Sequence, residues 1–296
     1  TLEPCAHFGV TPPCVDAIIA AQIKRVVVAL PDPDPRTSGA GLQKLKDAKI
    51  DIALGLMASE ASWITMGHIL RQTVRRPFVS LKIATNYKGK VPSGDGSSPL
   101  FVTGPEARAF GHLLRSQADA ILIGSGTIYG DNPELTCRLP GLKNHSPLRI
   151  ILAGKRRIPL DCKLVQSAKN LRLLLIYAGQ KSNAFTEFLN LGVELIETVP
   201  DEKGVKISGV LEELAARGIT RVLVEGGPKV WRSFSEVQKI DEIFHFHASS
   251  QALAEQSKAI LESLLQSFNY NLFDHRTIGA DTLFHWRRPY DMNEGS

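Results

Sequence analysis

Near its middle the chain reads Asp119-Ala120-Ile121-Leu122-Ile123-Gly124, then Ser125-Gly126-Thr127-Ile128-Tyr129-Gly130-Asp131-Asn132-Pro133-Glu134-Leu135-Thr136-Cys137-Arg138. The apolar run between Asp119 and Gly124 predicts a short strand. Glycines directly after a strand either make a tight turn or let a ligand approach the backbone, where Thr127 and Asp131 could bond hydroxyls. Spacing alone leaves both readings open. Outward from this stretch, further strands are predicted at Lys24–Leu30, a buried one, and at Ile50–Ala53, Phe78–Ala84, Arg149–Ala153, Leu171–Ile176 and Arg221–Val224. Leu42–Ala48 reads as a helix. Thr103-Gly104-Pro105-Glu106 has the spacing of a capping box, and Ala107, Phe110, Leu113 and Leu114 continue as an apolar helix face. Strands alternating with helices make this an α/β protein with parallel pairing.

With 296 residues, about two domains are expected. Apolar residues at 43% and charged residues at 22% give an ordinary globular core, which excludes a disordered tail, a collagen-like fibre and a coiled coil. A net charge of +5 suits an anionic small molecule as well as nucleic acid, so the sign decides nothing. No apolar run approaches the ~20 residues that would span a bilayer, so no membrane partner is expected. Four cysteines are too few for a disulfide framework and point to a reducing, cytoplasmic setting with metal or catalytic use. The basic stretch Arg71–Pro77 precedes a new strand, which divides the chain into 1–74 and 77–296. Ser93–Ser98 reads as a flexible loop.

Val222-Leu223-Val224-Glu225-Gly226-Gly227-Pro228-Lys229-Val230-Trp231-Arg232-Ser233 carries a second constellation. A strand ends, two glycines turn, and proline opens a helix whose free N–H groups could face a phosphate. Glu225 is either a solvated strand-end carboxylate or a ligand contact, and Trp231 and Phe234 read as helix core. Lys155-Arg156-Arg157 follows a strand directly, where a basic cluster suits either a solvated turn or the extra phosphate of NADP. His245, His247 and His285 lack metal spacing and read as surface or strand residues, while Cys137 and Cys162 read as ordinary thiols.

The chain opens with Pro4-Cys5-Ala6-His7-Phe8-Gly9-Val10-Thr11-Pro12-Pro13-Cys14, and Val15–Ala21 reads as a helix whose dipole would favour a Cys14 thiolate. Spacing leaves a zinc pair and two buried thiols equally open. Because Thr1 stands inside this motif, the true start is expected upstream.

The string P-C-x-H-x-G-x-T-P-P-C, with its helix, valine-rich strand and Asp32-Pro33, resembles the zinc-binding half of the bifunctional riboflavin-biosynthesis deaminase/reductase family. G-T-x-x-x-D-x-P-x-L-T-x-R at Gly126–Arg138 and V-E-G-G-P at Val224–Pro228 are similar to its reductase half. The resemblance implies a partial cytidine-deaminase-like domain followed by a dihydrofolate-reductase-like domain. It implies a zinc site with Cys5 and Cys14 as ligands, left incomplete because the family's His-x-Glu is absent; no catalytic residue of the deaminase is assigned, and Glu3 is read as a pre-motif residue. NADPH would be bound by Ala84, Phe101, Thr127, Asp131, Gly154 and Gly227, Pro228, Lys229, Val230, Trp231, Arg232 and Ser233. Arg115, Leu135, Arg138 and Glu225 would contact the substrate, a ribosylaminopyrimidine phosphate whose phosphate a guanidinium can grip twice. The implied reaction is NADPH-dependent reduction of 5-amino-6-(5-phosphoribosylamino)uracil to the ribityl form, coupled in the family to zinc-dependent deamination. Where the family has S-L-D-G-K this chain has Asn86-Tyr87-Lys88-Gly89-Lys90, and Phe101 replaces a usual tryptophan. The competing readings are a non-catalytic scaffold and a nucleic-acid base deaminase; the latter needs a basic strip with stacking aromatics, so no nucleic-acid partner is expected. A homo-oligomer is compatible with all of this.

Overall fold

Phe78-Val79-Ser80-Leu81-Lys82-Ile83-Ala84-Thr85 alternates fully buried with half-buried side chains, as a strand covered on both faces must when one face carries polar groups. A computed structural model describes residues 1–86, 102–154, 157–179, 185–201, 204–248 and 269–290. It divides into two compact units, Thr1–Pro77 and the chain from Phe78 onward.

The first unit contains α1 (Cys14–Ala20), β1 (Arg25–Val28), α2 (Ala40–Asp47), β2 (Asp51–Leu54) and α3 (Ala58–Val74). β1 and β2 pair in parallel, Val26 opposite Ile52. The expected buried strand at 24–30 is shorter and half-exposed, Val27 being 49% accessible, because among the described residues β1 has a strand partner on one side alone. The first unit has two small cores, Val15 with Leu45 and Ile50, and Ala29 with Leu30 and Ala61.

The second unit contains β3 (Phe78–Thr85), α4 (Pro105–Ser116), β4 (Ala120–Gly124), α5 (Ser125–Asp131), β5 (Leu148–Leu152), α6 (Lys163–Gln166), β6 (Leu173–Ala178) and α7 (Phe185–Asn190). Then come β7 (Val193–Thr198), β8 (Pro200–Asp201), β9 (Gly204–Val205), α8 (Ile207–Ala216), β10 (Arg221–Val224), α9 (Pro228–Glu236), β11 (Glu242–His247), β12 (Asn271–Ile278) and β13 (Asp281–Arg287). Among the described residues nine strands form one sheet in the order β12-β13-β11-β3-β10-β4-β5-β6-β7. β11 through β7 run parallel, and β13 and β12 close that side antiparallel.

Alternation along the strands builds two cores, one on each face. Val79, Leu81, Ile83, Leu122, Val222 and Val224 pack with Val210, Leu214, Trp231 and Phe234 of α8 and α9. Ile121, Ile123, Ile151, Leu223, Phe244 and Phe246 pack with Ala107 and Leu114 of α4. Trp231 and Phe234 are core residues as the sequence suggested.

The capping box is displaced. α4 begins at Pro105 with Gly104 as N-cap, and the side chain serving that end is Asp281, whose Oδ2 accepts the Gly104 N–H at 2.6 Å. A distant carboxylate takes the role that Glu106 would have played in the box, accepting the backbone N–H of the N-cap residue. His245, His247 and His285 are buried strand residues, with none at the surface. Thr85 Oγ1 lies 2.7 Å from His245 Nε2 and 3.1 Å from His247 Nδ1, and His285 Nε2 lies 2.8 Å from Glu242. No described helix is long and apolar enough to cross a membrane.

Candidate active site

Parallel sheets present their ligand sites at the carboxyl ends of the strands, where successive chains turn into helices on opposite faces. Here β10 sits between β3 and β4, so Glu225, one residue past β10, stands beside the ends of both neighbours. Its side chain points to the α4 face. Arg115 of α4 grips it with two nitrogens: Nε donates to Oε1 at 2.8 Å and Nη2 to Oε2 at 2.9 Å. Lys82 of β3 adds a second cation, with Nζ 3.9 Å from Glu225 Oε2 and 5.9 Å from the Phe246 ring centre.

Burial is the largest influence on the Glu225 carboxyl and would push its pKa up, but Arg115 and Lys82 outweigh it and bring the value down to about 2. For Arg115, burial opposes the charge and Glu225 restores it with a net upward shift. Charge-assisted, two-pronged pairs of this kind are short and directional. The third Arg115 nitrogen, Nη1, donates to the Thr136 carbonyl at 3.1 Å, so one guanidinium joins the strand-end carboxylate to the segment after α5. Lys82 was not assigned from the sequence. The available signal was a lysine at an inward position of an otherwise apolar strand, which demands an acidic partner.

Ser125–Asp131 forms helix α5 starting directly at the end of β4, where a tight turn had been the alternative. Thr127 and Asp131 both lie on it, half-buried. Next to it, α9 rises from the Gly226-Gly227 turn with Pro228 in its first turn. A Cβ on Gly124 would lie 2.7 Å from Val230 Cγ2, and one on Gly226 2.7 Å from Val230 Cβ. These glycines let the first turn of α9 close onto the end of β4. A Cβ on Gly126 or Gly227 would meet nothing within 4 Å, leaving open space in front of both loops. Gly154, after β5, approaches the same loops, its Cβ position lying 3.5 Å from Ser125 Oγ.

The remaining expected residues are distributed unevenly. Ala84 lies half-buried on the same face of β3 as Lys82, opposite Phe246. Leu135 has its side chain buried in the α4-side core and a left-handed backbone (φ 58°), which leaves its main chain rather than its side chain for a ligand. The Trp231 ring is likewise committed to the core. Arg138 is exposed and pairs with Glu134 at 3.4 Å. Phe101, Lys155, Arg156, the turn residues Tyr87–Lys90 and the Ser93–Ser98 loop lie outside the described residues.

In the first unit, the Cys14 N–H donates to Cys5 Sγ at 3.3 Å, so the loop does bring the two cysteines together. The neighbouring Cys5 thiol is the main cause of an upward shift at Cys14, which overrides the thiolate-favouring helix start expected from sequence. His7 points to Thr37, with Nδ1 3.1 Å from Oγ1. Among the described residues no group of three or more His, Cys, Asp or Glu is placed to hold a metal ion. Catalytic zinc requires three protein ligands, so the described residues do not fit it. Glu3 is buried and structural: Oε2 accepts the Gly39 N–H and Oε1 the Leu42 N–H, each at 3.0 Å, at the start of α2.

A strand-end carboxylate clamped by two cations stands beside a glycine-lined helix start on a mostly parallel sheet, the place where α/β enzymes bind their ligands. Residues 77–284 match the RibD C-terminal domain, and the chain belongs to that family, with a reductase role in riboflavin biosynthesis. It is 37% identical over 249 residues to the riboflavin biosynthesis protein RibD of Aquifex aeolicus, covering 84% of this chain and 67% of that one. The solved structure of Acinetobacter baumannii RibD aligns with a TM-score of 0.81 at 29% identity, covering 98% of this chain and 80% of that one. The Thermotoga maritima diaminohydroxyphosphoribosylaminopyrimidine deaminase/5-amino-6-(5-phosphoribosylamino)uracil reductase aligns at 0.78 with 30% identity, over 98% and 78%. The α/β class and the riboflavin-biosynthesis reductase domain are those expected from sequence.

Proposed function

We propose that the second unit reduces 5-amino-6-(5-phosphoribosylamino)uracil, or a close ribosylaminopyrimidine phosphate, to its ribityl form with NADPH as reductant. The observation that carries this reading is the buried Glu225–Arg115–Lys82 cluster beside the α9 turn. The open space at Gly126 and Gly227 and the free first turn of α9 fit a dinucleotide phosphate, with Gly227–Ser233 contributing mainly backbone and Thr127 and Asp131 contributing side chains. The hydride taken up at C1′ of the opened ribose would come from NADPH held at these loops. NADPH is favoured over NADH by the basic run Lys155-Arg156-Arg157.

The protein's own groups do the rest. Glu225, held ionised, orients the ribose hydroxyls and fixes Arg115. Lys82, partly shielded at its side, is placed to give a proton to the atom that gains charge as C1′ is reduced. Arg138 is free of the core and able to grip the substrate phosphate. Zinc and deamination take no part in this reading, since Cys5 and Cys14 supply two donors only. The test is NADPH consumption with the ribosylaminopyrimidine phosphate as substrate. Turnover by the chain, lost in Glu225→Gln and Lys82→Met, supports the reading; turnover unaffected by either change removes the cluster from the reaction.

A further inference from the structure

His112 lies one turn before Arg115 on α4, and its ring makes two competing approaches to the segment that carries Arg138. The Arg138 backbone N–H donates to His112 Nδ1 at 3.3 Å, while the Thr136 carbonyl oxygen lies 3.1 Å from the same Nδ1. One nitrogen cannot accept and donate at once. If Nδ1 is unprotonated, it accepts from Arg138 and the Thr136 carbonyl is served by Arg115 Nη1 at 3.1 Å, so both backbone groups are paired. If Nδ1 carries a proton, the Thr136 carbonyl is served twice and the Arg138 N–H loses its acceptor. Satisfaction of the backbone therefore selects the neutral ring with its proton on Nε2.

We propose that His112 is a positioning residue for substrate binding, which in its neutral Nε2–H form holds the Arg138 backbone amide and, with Arg115, fixes the Thr136–Arg138 segment that grips the phosphate. Protonation at Nδ1 turns the acceptor into a donor and lets the Arg138 end of the segment go. The charged groups facing the ring are Arg115 on its own helix, Arg138 on the segment and Glu225 at the end of β10. Burial first, then the two arginines, hold His112 below the usual imidazole range, against the opposite pull of the Thr136 carbonyl and Glu225. The ring is thus neutral at neutral pH, and the pairing of the Arg138 N–H selects the tautomer in which Nδ1 accepts. The proposal rests on the assignment of Arg138 to the substrate phosphate.

The test compares His112→Asn, whose Oδ1 can accept the Arg138 N–H at any pH, with His112→Leu, which cannot accept it. At neutral pH His112→Leu should raise KM for the substrate about tenfold, the effect of one lost hydrogen bond, with kcat little changed. His112→Asn should restore most of that loss. On the acid side the wild type should lose affinity as His112 protonates, and His112→Asn should show a flatter profile. The substrate's own phosphate titrates near pH 6, but equally for both proteins. Nitrogen-15 spectra of the full chain without substrate should show the Nε2–H tautomer and an Arg138 amide that shifts as His112 titrates; these two readouts stand even if His112→Leu fails to fold. An Nδ1–H tautomer at neutral pH, an Arg138 amide blind to that titration, or Asn and Leu variants with equal KM would each overturn the proposal. Arg138→Ala separates the underlying assignment, because its backbone amide is retained. Unchanged KM there sinks the phosphate role of Arg138, whereas raised KM there with unchanged KM in His112→Leu sinks His112 alone.

Discussion

Arg115 and Glu225, 110 positions apart in sequence, are joined by two parallel hydrogen bonds of 2.8 and 2.9 Å at the carboxyl end of the sheet. Both had been expected to contact the substrate. Their pairing changes what mutation should do. Removing Arg115 leaves a buried carboxylate with Lys82 alone, and breaking such a pair from one side costs roughly 3–5 kcal/mol. Arg115→Met should therefore lower Tm sharply, while Arg115→Met with Glu225→Leu should recover much of that stability and remain inactive. Equal Tm losses in the single and double variants would contradict the pairing.

Acid should act on the same pair. The Glu225 pKa falls to about 2 in the folded chain from an ordinary value near 4.5, so the unfolded state binds its proton first. Its contribution to stability is complete above the unfolded value and is lost as pH falls toward the folded one. Between about pH 4.5 and 2 the wild type should lose more stability than Glu225→Gln, measured by thermal melts across that range.

Gly226 was legible in the sequence as a turn residue, but its tightest neighbour was not. A Cβ there would sit 2.7 Å from Val230 Cβ and 2.9 Å from Cγ2. Gly226→Ala should weaken NADPH binding and cost about 1–3 kcal/mol of stability, the usual range for overpacking. Adding Val230→Ala should return part of both. If nicotinamide fluorescence titrations show the double variant no better than Gly226→Ala, the clash with Val230 is not what the glycine avoids.

The pattern of legibility follows from range. Strands such as Arg221–Val224 and the helix face of Ala107 and Leu114 could be read because burial imposes a short period on neighbouring residues. Lys82, His112 and the cap of α4 by Asp281 could not. Each acquires its role from a partner far along the chain: the inward place of Lys82 on β3 signals that an acid must face it, but not which one, and His112 and Asp281 carry no local signal at all. Glu3 shows the same limit: as a residue before the cysteine motif it looked incidental, and the fold makes it the acceptor for two N–H groups of α2. Glu3→Ala should destabilise the first unit by about 1–2 kcal/mol, as loss of a helix cap does, visible as local hydrogen exchange at Gly39 and Leu42. Unaltered protection of those two amides would refute the capping role.

The last prediction concerns Cys5 and Cys14, which the sequence pairs across eight residues and the fold brings into contact. A cysteine opening a helix is ordinarily expected to ionise easily, yet Cys14 is shifted the other way. The cause is Cys5: a thiol hydrogen bond and the mutual repulsion of two sulfurs that would both be charged favour the protonated form of Cys14, and burial adds a smaller push in the same direction. Thiolate is the reactive species, so exposed Cys14 should alkylate more slowly at mildly alkaline pH than its exposure alone suggests. Cys5→Ser removes the second ionising sulfur and should speed alkylation of Cys14, while Cys137 and Cys162, both buried, remain slow in either protein. A zinc salt added to the wild type should protect both thiols only while it is present in excess, because two thiolates are one ligand short of a catalytic site. Rapid alkylation of wild-type Cys14, equal to that in Cys5→Ser, would show that the two sulfurs do not share a proton. Stoichiometric zinc retained through dialysis would show that a third ligand is supplied from elsewhere.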